Sequence, residues 1–188
     1  MPIRIVQRLR KNIREDGLII SSSPFLVNKM LSKVDFNRNL RILEIGSGKG
    51  VFTREIARRM NRDSCLDVIE IKTDYNHYIH QIIQLNSDKK ISLFNGCITE
   101  LTGERENYDI VLSSLPLKNF VNTADNNAFL NSVIQGFESN LKVGGTYLQY
   151  QYFRSNKVDI EKIFGQKMDE ISFVLLNILP AFVYSITK

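Results

Sequence analysis

From Leu43 to Gly50 the chain reads Leu-Glu-Ile-Gly-Ser-Gly-Lys-Gly, and no other segment limits the fold as tightly. A short apolar run must end as a strand, a tight turn must follow, and a helix is predicted from there through Met60. Glycine allows the turn and leaves room for a ligand to lie against the backbone. Glu70 ends the next predicted strand about twenty residues on, where a carboxylate can accept hydrogen bonds from both hydroxyls of a ribose. A Walker A loop needs Ser or Thr after its lysine, but Gly50 follows Lys49, which excludes it. The spacing G-x-G-x-G also differs from the G-x-G-x-x-G of dinucleotide-binding turns.

The rest of the chain alternates accordingly. Strands are predicted over residues 41–45, 65–71, 91–94, 108–114 and 146–153. Helices are predicted over residues 74–85 and 124–141, the second ending at Gly144-Gly145. Residues 170–176 and 181–186 read as a closing antiparallel pair around a turn at 177–180. Strands alternating with helices imply an α/β, Rossmann-like, doubly wound fold. Its sheet should be mostly parallel and seven-stranded, with the antiparallel pair at its C-terminal edge. No linker divides the 188 residues, so a single domain is expected over 1–188. Residues 1–38 are expected to be an N-terminal helical extension, membrane-facing or a lid, with a first helix over residues 1–14. In that extension Ile5, Leu9 and Ile13 recur at i+4 with Val6 beside them, while Arg4, Arg8, Lys11 and Arg14 fill other faces. A second helix is expected to start at Ser21-Ser22-Ser23-Pro24.

Charge is uneven along the chain. Net charge is +5, and the first sixteen residues hold five basic side chains (Arg4, Arg8, Arg10, Lys11, Arg14) against Glu15 and Asp16. Such a surface attracts nucleic acid and anionic lipid alike. No apolar run reaches the roughly 20 residues needed to span a bilayer. The basic N-terminus lacks the apolar core of a secretory signal, so a cytoplasmic location is expected. Cys65 and Cys97 lie in separate apolar runs and read as buried free thiols. His77 and His80 share a helix face without a third ligand, so no metal site is expected.

The G-x-G-x-G turn, preceded by Glu44 and answered by Glu70, resembles motif I of class I S-adenosylmethionine-dependent methyltransferases. The resemblance implies S-adenosylmethionine as cofactor. Glu44 would orient its methionine end, and Gly46, Ser47, Gly48 and Gly50 would cradle it. Glu70 and Ile71 would meet the ribose. The family's Gly-Asp-Ala after the third strand is here Asn95-Gly96-Cys97, which leaves Cys97 and Ile98 to offer backbone or apolar contacts. Ser22, Ser23 and Ser113 complete the implied cofactor set. Ser114, Leu115 and Pro116 occupy the turn where acceptors meet the methyl group.

Adenine methyltransferases carry Asn or Asp, then Pro, then an aromatic at this turn. Here Ser114 and Leu117 stand in those places, and leucine offers a base no stacking platform. Four segments instead resemble bacterial phospholipid N-methyltransferases: Asp16-Gly17-Leu18-Ile19-Ile20-Ser21-Ser22-Ser23, Ser114-Leu115-Pro116-Leu117, Gln149-Tyr150-Gln151-Tyr152, and Asn177-Ile178-Leu179-Pro180-Ala181-Phe182-Val183-Tyr184. The resemblance implies a lipid amine as substrate, an ornithine lipid being the other candidate, and an anionic membrane surface as partner. It places the protein at the periphery of the inner membrane. Tyr152, with Tyr150 on the same sheet face, is then expected to grip the amine or accept its proton. The alternatives are an RNA or DNA adenine methyltransferase, whose basic helix would bind phosphates, and a non-catalytic cofactor-binding module.

Overall fold

The computed structural model describes residues 22–101, 106–177 and 179–188. The helix expected over residues 1–14 lies outside them. Ser23 opens helix α1 (Pro24–Leu31): its side chain accepts from the Leu26 amide, and Pro24 occupies the first turn. The chain then alternates through β1 (Arg41–Ile45), α2 (Val51–Arg59), β2 (Cys65–Ile69), α3 (Asn76–Leu85), β3 (Lys90–Phe94), β4 (Tyr108–Ser113), α4 (Ala128–Asn140), β5 (Leu141–Gln151), α5 (Lys157–Phe164), β6 (Glu170–Val174) and β7 (Ala181–Thr187).

One seven-stranded sheet results, in the order β3-β2-β1-β4-β5-β7-β6. Strands β1 to β5 are parallel. β7 runs antiparallel to both β5 and β6 and lies between them. Helices cover both faces, which is why β1 can be buried from Ile42 to Ile45. Leu26, Met30, Phe52, Ile56 and Ile79 pack on one face. Leu130, Ile134, Phe137 and Ile160 pack on the other. The strand order reverses between β1 and β4. Parallel α/β sheets open a crevice at the C-terminal ends of strands at such a point.

Several predicted boundaries shift for local reasons. Asn126 and Asn127 both have positive φ, so α4 cannot begin at residue 124. Gly144-Gly145 does not stop a helix but lies inside β5, where the pairing with β4 slips between Tyr108 and Ile110. An added Cβ on Gly145 would stand 2.8 Å from Leu141 Cδ1 and 3.0 Å from the Asp109 carbonyl. β5 ends at Gln151, so Tyr152 and Phe153 lie just past it. β2 ends at Ile69, which leaves Glu70 and Ile71 on the turn beyond. α5 was not expected, since a left-handed Asn156 caps it without a side-chain bond.

Candidate active site

The glycine turn crosses the C-terminal end of β1 with φ of +78° at Gly46, +53° at Gly48 and +76° at Gly50. The three glycines answer different needs. A Cβ on Gly46 would stand 2.6 Å from Leu115 Cδ2, so the bare α-carbon lets the turn after β4 close on the turn after β1. A Cβ on Gly48 would meet nothing within 4 Å. Gly50 also has a packing reason to be glycine: its Cβ would stand 2.5 Å from Ile82 and 2.9 Å from Ile79. It is a buried packing position where α2 meets α3.

Glu70 ties this turn to the next. The Gly48 amide donates to its Oε2 at 2.7 Å, and the Lys72 amide donates to its Oε1 at 2.8 Å. Burial raises its pKa, and the amides of Lys72, Gly48 and Ile71 pull it back down. A carboxylate offers about four lone-pair sites, so each oxygen keeps acceptor capacity for a hydroxyl. Beside Glu70 lies an apolar cleft, partly open to solvent. Gly46, Ile71, Cys97, Ile98 and Leu115 line it, together with Phe120, Phe129 and Val133. The last three were missed in the sequence because they come from beyond β4. Cys97 is fixed there by its own amide, which donates to Glu100 at 2.9 Å.

Across the sheet, Glu44 is fully buried, and neither carboxylate oxygen completes a hydrogen bond among the described residues. The hydroxyls of Ser47 and Thr53 are equally unpartnered. Burial pushes the Glu44 carboxyl up to about 8; nearby Thr53 lowers it and Glu70 raises it further. A folded pKa above the ordinary 4.5 means the native state binds a proton that the unfolded chain releases. Stability of the ligand-free protein should therefore fall as pH rises between about 4.5 and 8, by at most about 1.4 kcal/mol per pH unit. Urea titrations across this range should show that fall, and Glu44→Gln should flatten it.

The turn after β4 is set by its own backbone. Ser114 N–H donates to the Ile45 carbonyl at 2.9 Å, and Leu115 N–H donates to Ser113 Oγ at 3.2 Å. The Ser114 hydroxyl is buried and unpartnered among the described residues. Pro116 is exposed, and Leu117 is wholly buried. Tyr150 stacks on Phe52 at 6.0 Å, and Tyr152 meets Tyr150 edge-on at 5.7 Å. Both rings lie on the α1–α2 face, which is also Glu44's face by alternation from Ile42. The Tyr152 phenol is raised by burial and by Tyr150, with Asn177 opposing. It therefore stays protonated at neutral pH, which leaves gripping rather than proton acceptance as its chemistry. Ser23 is engaged structurally: its amide donates to Asn177 Oδ1 at 2.8 Å and its hydroxyl to the Leu176 carbonyl at 2.8 Å. Ser22, half-buried, precedes it. Two distant segments that the sequence singles out, around Ser23 and Asn177, thus meet in space.

The sequence model of the methyltransferase domain family matches residues 42–145, which is more than half of the chain. The chain belongs to that family. Its methyl donor is S-adenosylmethionine. Among solved structures, precorrin-6y C5,15-methyltransferase from Geobacter metallireducens superposes with a TM-score of 0.71. That match has 14% identity and covers 91% of this chain and 94% of that one. It shows the shared fold. Among curated relatives, ribosomal RNA small subunit methyltransferase A of Mycoplasma capricolum subsp. capricolum is 39% identical over 64 residues, which is 31% of this chain and 24% of that protein. The rRNA adenine N-6-methyltransferase of Limosilactobacillus reuteri is 39% identical over 59 residues, with the same coverages. The matched stretch spans about a quarter of the length of these relatives.

The methyltransferase site fits this donor. The orphaned Glu44 oxygens would hold its ammonium, the free lone pairs of Glu70 its ribose hydroxyls, and the apolar cleft at Cys97 and Ile98 its adenine. When bound, it supplies an electrophilic methyl group on a sulfonium. The protein's part is to bind, to orient and to keep water out.

Proposed function

We propose that this methyltransferase acts on an aliphatic amine carried by a lipid headgroup at an anionic membrane surface. The observation that supports the reading is a set of exposed apolar side chains on α1 and past the ends of β5 and β6. Phe25, Leu175, Leu176 and Leu179 are exposed there, joined through the hydrogen bonds of Ser23 and Asn177. Phe153 is exposed just past β5, with Lys118 4.3 Å over its ring, and Arg154 stands 5.7 Å from the ring of Phe182. Apolar side chains edged by cations suit an anionic bilayer interface. The basic first sixteen residues add to that attraction, on the order of 1 kcal/mol for each residue near the surface. Buried Leu117 supports the same reading, since it leaves no platform for a base.

An ethanolamine-type ammonium with a pKa of about 10 must lose a proton to bulk water before its lone pair can attack. In this reading Ser114 and Tyr152 hold such an amine, and alignment alone can lower the barrier by several kcal/mol. A second reading, methylation of adenine in RNA, draws on the partial likeness to the ribosomal RNA methyltransferases. Labelled methyl transfer separates the two. With phosphatidylethanolamine in anionic vesicles and an adenine-containing RNA offered side by side, label should enter the lipid phase. Transfer should weaken as salt is raised. Label confined to RNA would overturn the lipid reading.

A further inference from the structure

The carbonyl of Leu115 is closed off from within. It accepts from Leu117 N–H at 2.9 Å, from Gln149 Nε2 at 3.1 Å and from Gln151 Nε2 at 3.2 Å. A carbonyl oxygen has two lone pairs, so three donors leave it nothing to offer a substrate. The two glutamines are themselves fixed. Both are buried, Gln149 Nε2 also donates to the Tyr150 carbonyl at 2.7 Å, and Tyr147 OH donates to Gln149 Oε1 at 3.0 Å. One residue earlier, the Ser114 hydroxyl is buried without a partner among the described residues.

We infer that Gln149 and Gln151 are positioning residues that lock the acceptor turn, so that side-chain hydroxyls, Ser114 foremost, grip the acceptor in place of the Leu115 carbonyl and the enzyme selects an aliphatic amine over a nucleobase amine. A planar exocyclic amine carries two N–H bonds fixed in the plane of its base, so orienting it takes two acceptors, for which this turn offers a side chain and the neighbouring carbonyl. Here the second acceptor is taken. Hydroxyls suffice for a tetrahedral amine, which rotates freely about its carbon–nitrogen bond to meet them. The inference rests on the amine reading proposed above and narrows it.

Three acceptors test it on the full chain: phosphatidylethanolamine in anionic vesicles, soluble phosphoethanolamine and an adenine-containing RNA. Ser114→Ala should lower kcat/KM on the aliphatic amine at least tenfold, with cofactor affinity within twofold of native. Ser114→Thr, which keeps the hydroxyl, should restore most of the loss. Gln149→Met with Gln151→Met should raise KM for the amine at least tenfold, a larger change than in cofactor affinity. Gln151→Met alone serves if the double variant fails to fold, with a smaller rise expected. Native transfer to the lipid with Ser114→Ala and Gln151→Met both within twofold would overturn the inference and leave the lipid reading standing. Transfer to phosphoethanolamine alone, still dependent on Ser114, would overturn the lipid reading and keep the inference. Transfer to the RNA, or to none of the three, would overturn both.

Discussion

Gly46→Ala should cost the protein its cofactor affinity and about 2–5 kcal/mol of stability. Two penalties add. A residue with a Cβ at a φ of +78° is strained by roughly 1–2 kcal/mol. The new methyl would also stand 2.6 Å from Leu115 Cδ2, which must move or push the acceptor turn away, at a typical overpacking cost of about 1–3 kcal/mol. Gly48→Ala is the control within the same turn. It carries similar backbone strain but no clash, because its Cβ would meet nothing within 4 Å. Urea denaturation should therefore rank Gly46→Ala below Gly48→Ala in stability. Calorimetric titration with S-adenosylmethionine should find binding lost in Gly46→Ala. Equal midpoints for the two variants would mean that the contact between the turns carries no energy.

Glu70→Ala should weaken S-adenosylmethionine binding at least a hundredfold. The carboxylate holds the Gly48 and Lys72 amides from opposite sides, so its removal loosens the cradle before any ribose contact is lost. Charge-assisted bonds contribute about 1.5–3 kcal/mol each, and 1.4 kcal/mol is tenfold in affinity. Glu70→Gln should fall between native and alanine. Its one carbonyl oxygen can still accept from one amide, whereas its amino group must face the other donor. Titration of the three proteins reads the order directly. Alanine and glutamine variants within threefold of native would remove Glu70 from both the clamp and the ribose site.

These two residues were legible in the sequence because their requirements are local. A glycine at positive φ and a carboxylate at a strand end leave their mark within a few positions of the turn. Gly50 fits the same motif, yet its reason for being glycine lies with Ile79 and Ile82 on α3, and no spacing rule within the turn can show that. Gly144-Gly145 read as a helix stop, since glycine marks helix ends and strand irregularities equally well; only the slipped pairing of β4 and β5 separates the two. The seven strands and their mostly parallel order followed from alternating apolar runs. The insertion of β7 between β5 and β6 did not, since hairpin neighbours can add to a sheet on either side. At the acceptor end, alternation drew attention to Tyr150 and Tyr152. The opposite face of the same strand carries Gln149 and Gln151, whose hydrogen bonds to Leu115 depend on a turn 34 and 36 residues earlier.

Titration of the full chain with S-adenosylmethionine at several pH values and in buffers of differing ionisation enthalpy tests the site most directly. Binding should be saturable at one molecule per chain. Near pH 7 it should release a proton, because a bound ammonium stabilises the charged form of Glu44, whose carboxyl burial otherwise raises to about 8. Glu44→Gln should bind more weakly and release none. Absence of binding, or binding that the Glu44→Gln and Glu70→Ala variants share unchanged with native protein, would contradict the assignment of this cleft as the methyl-donor site.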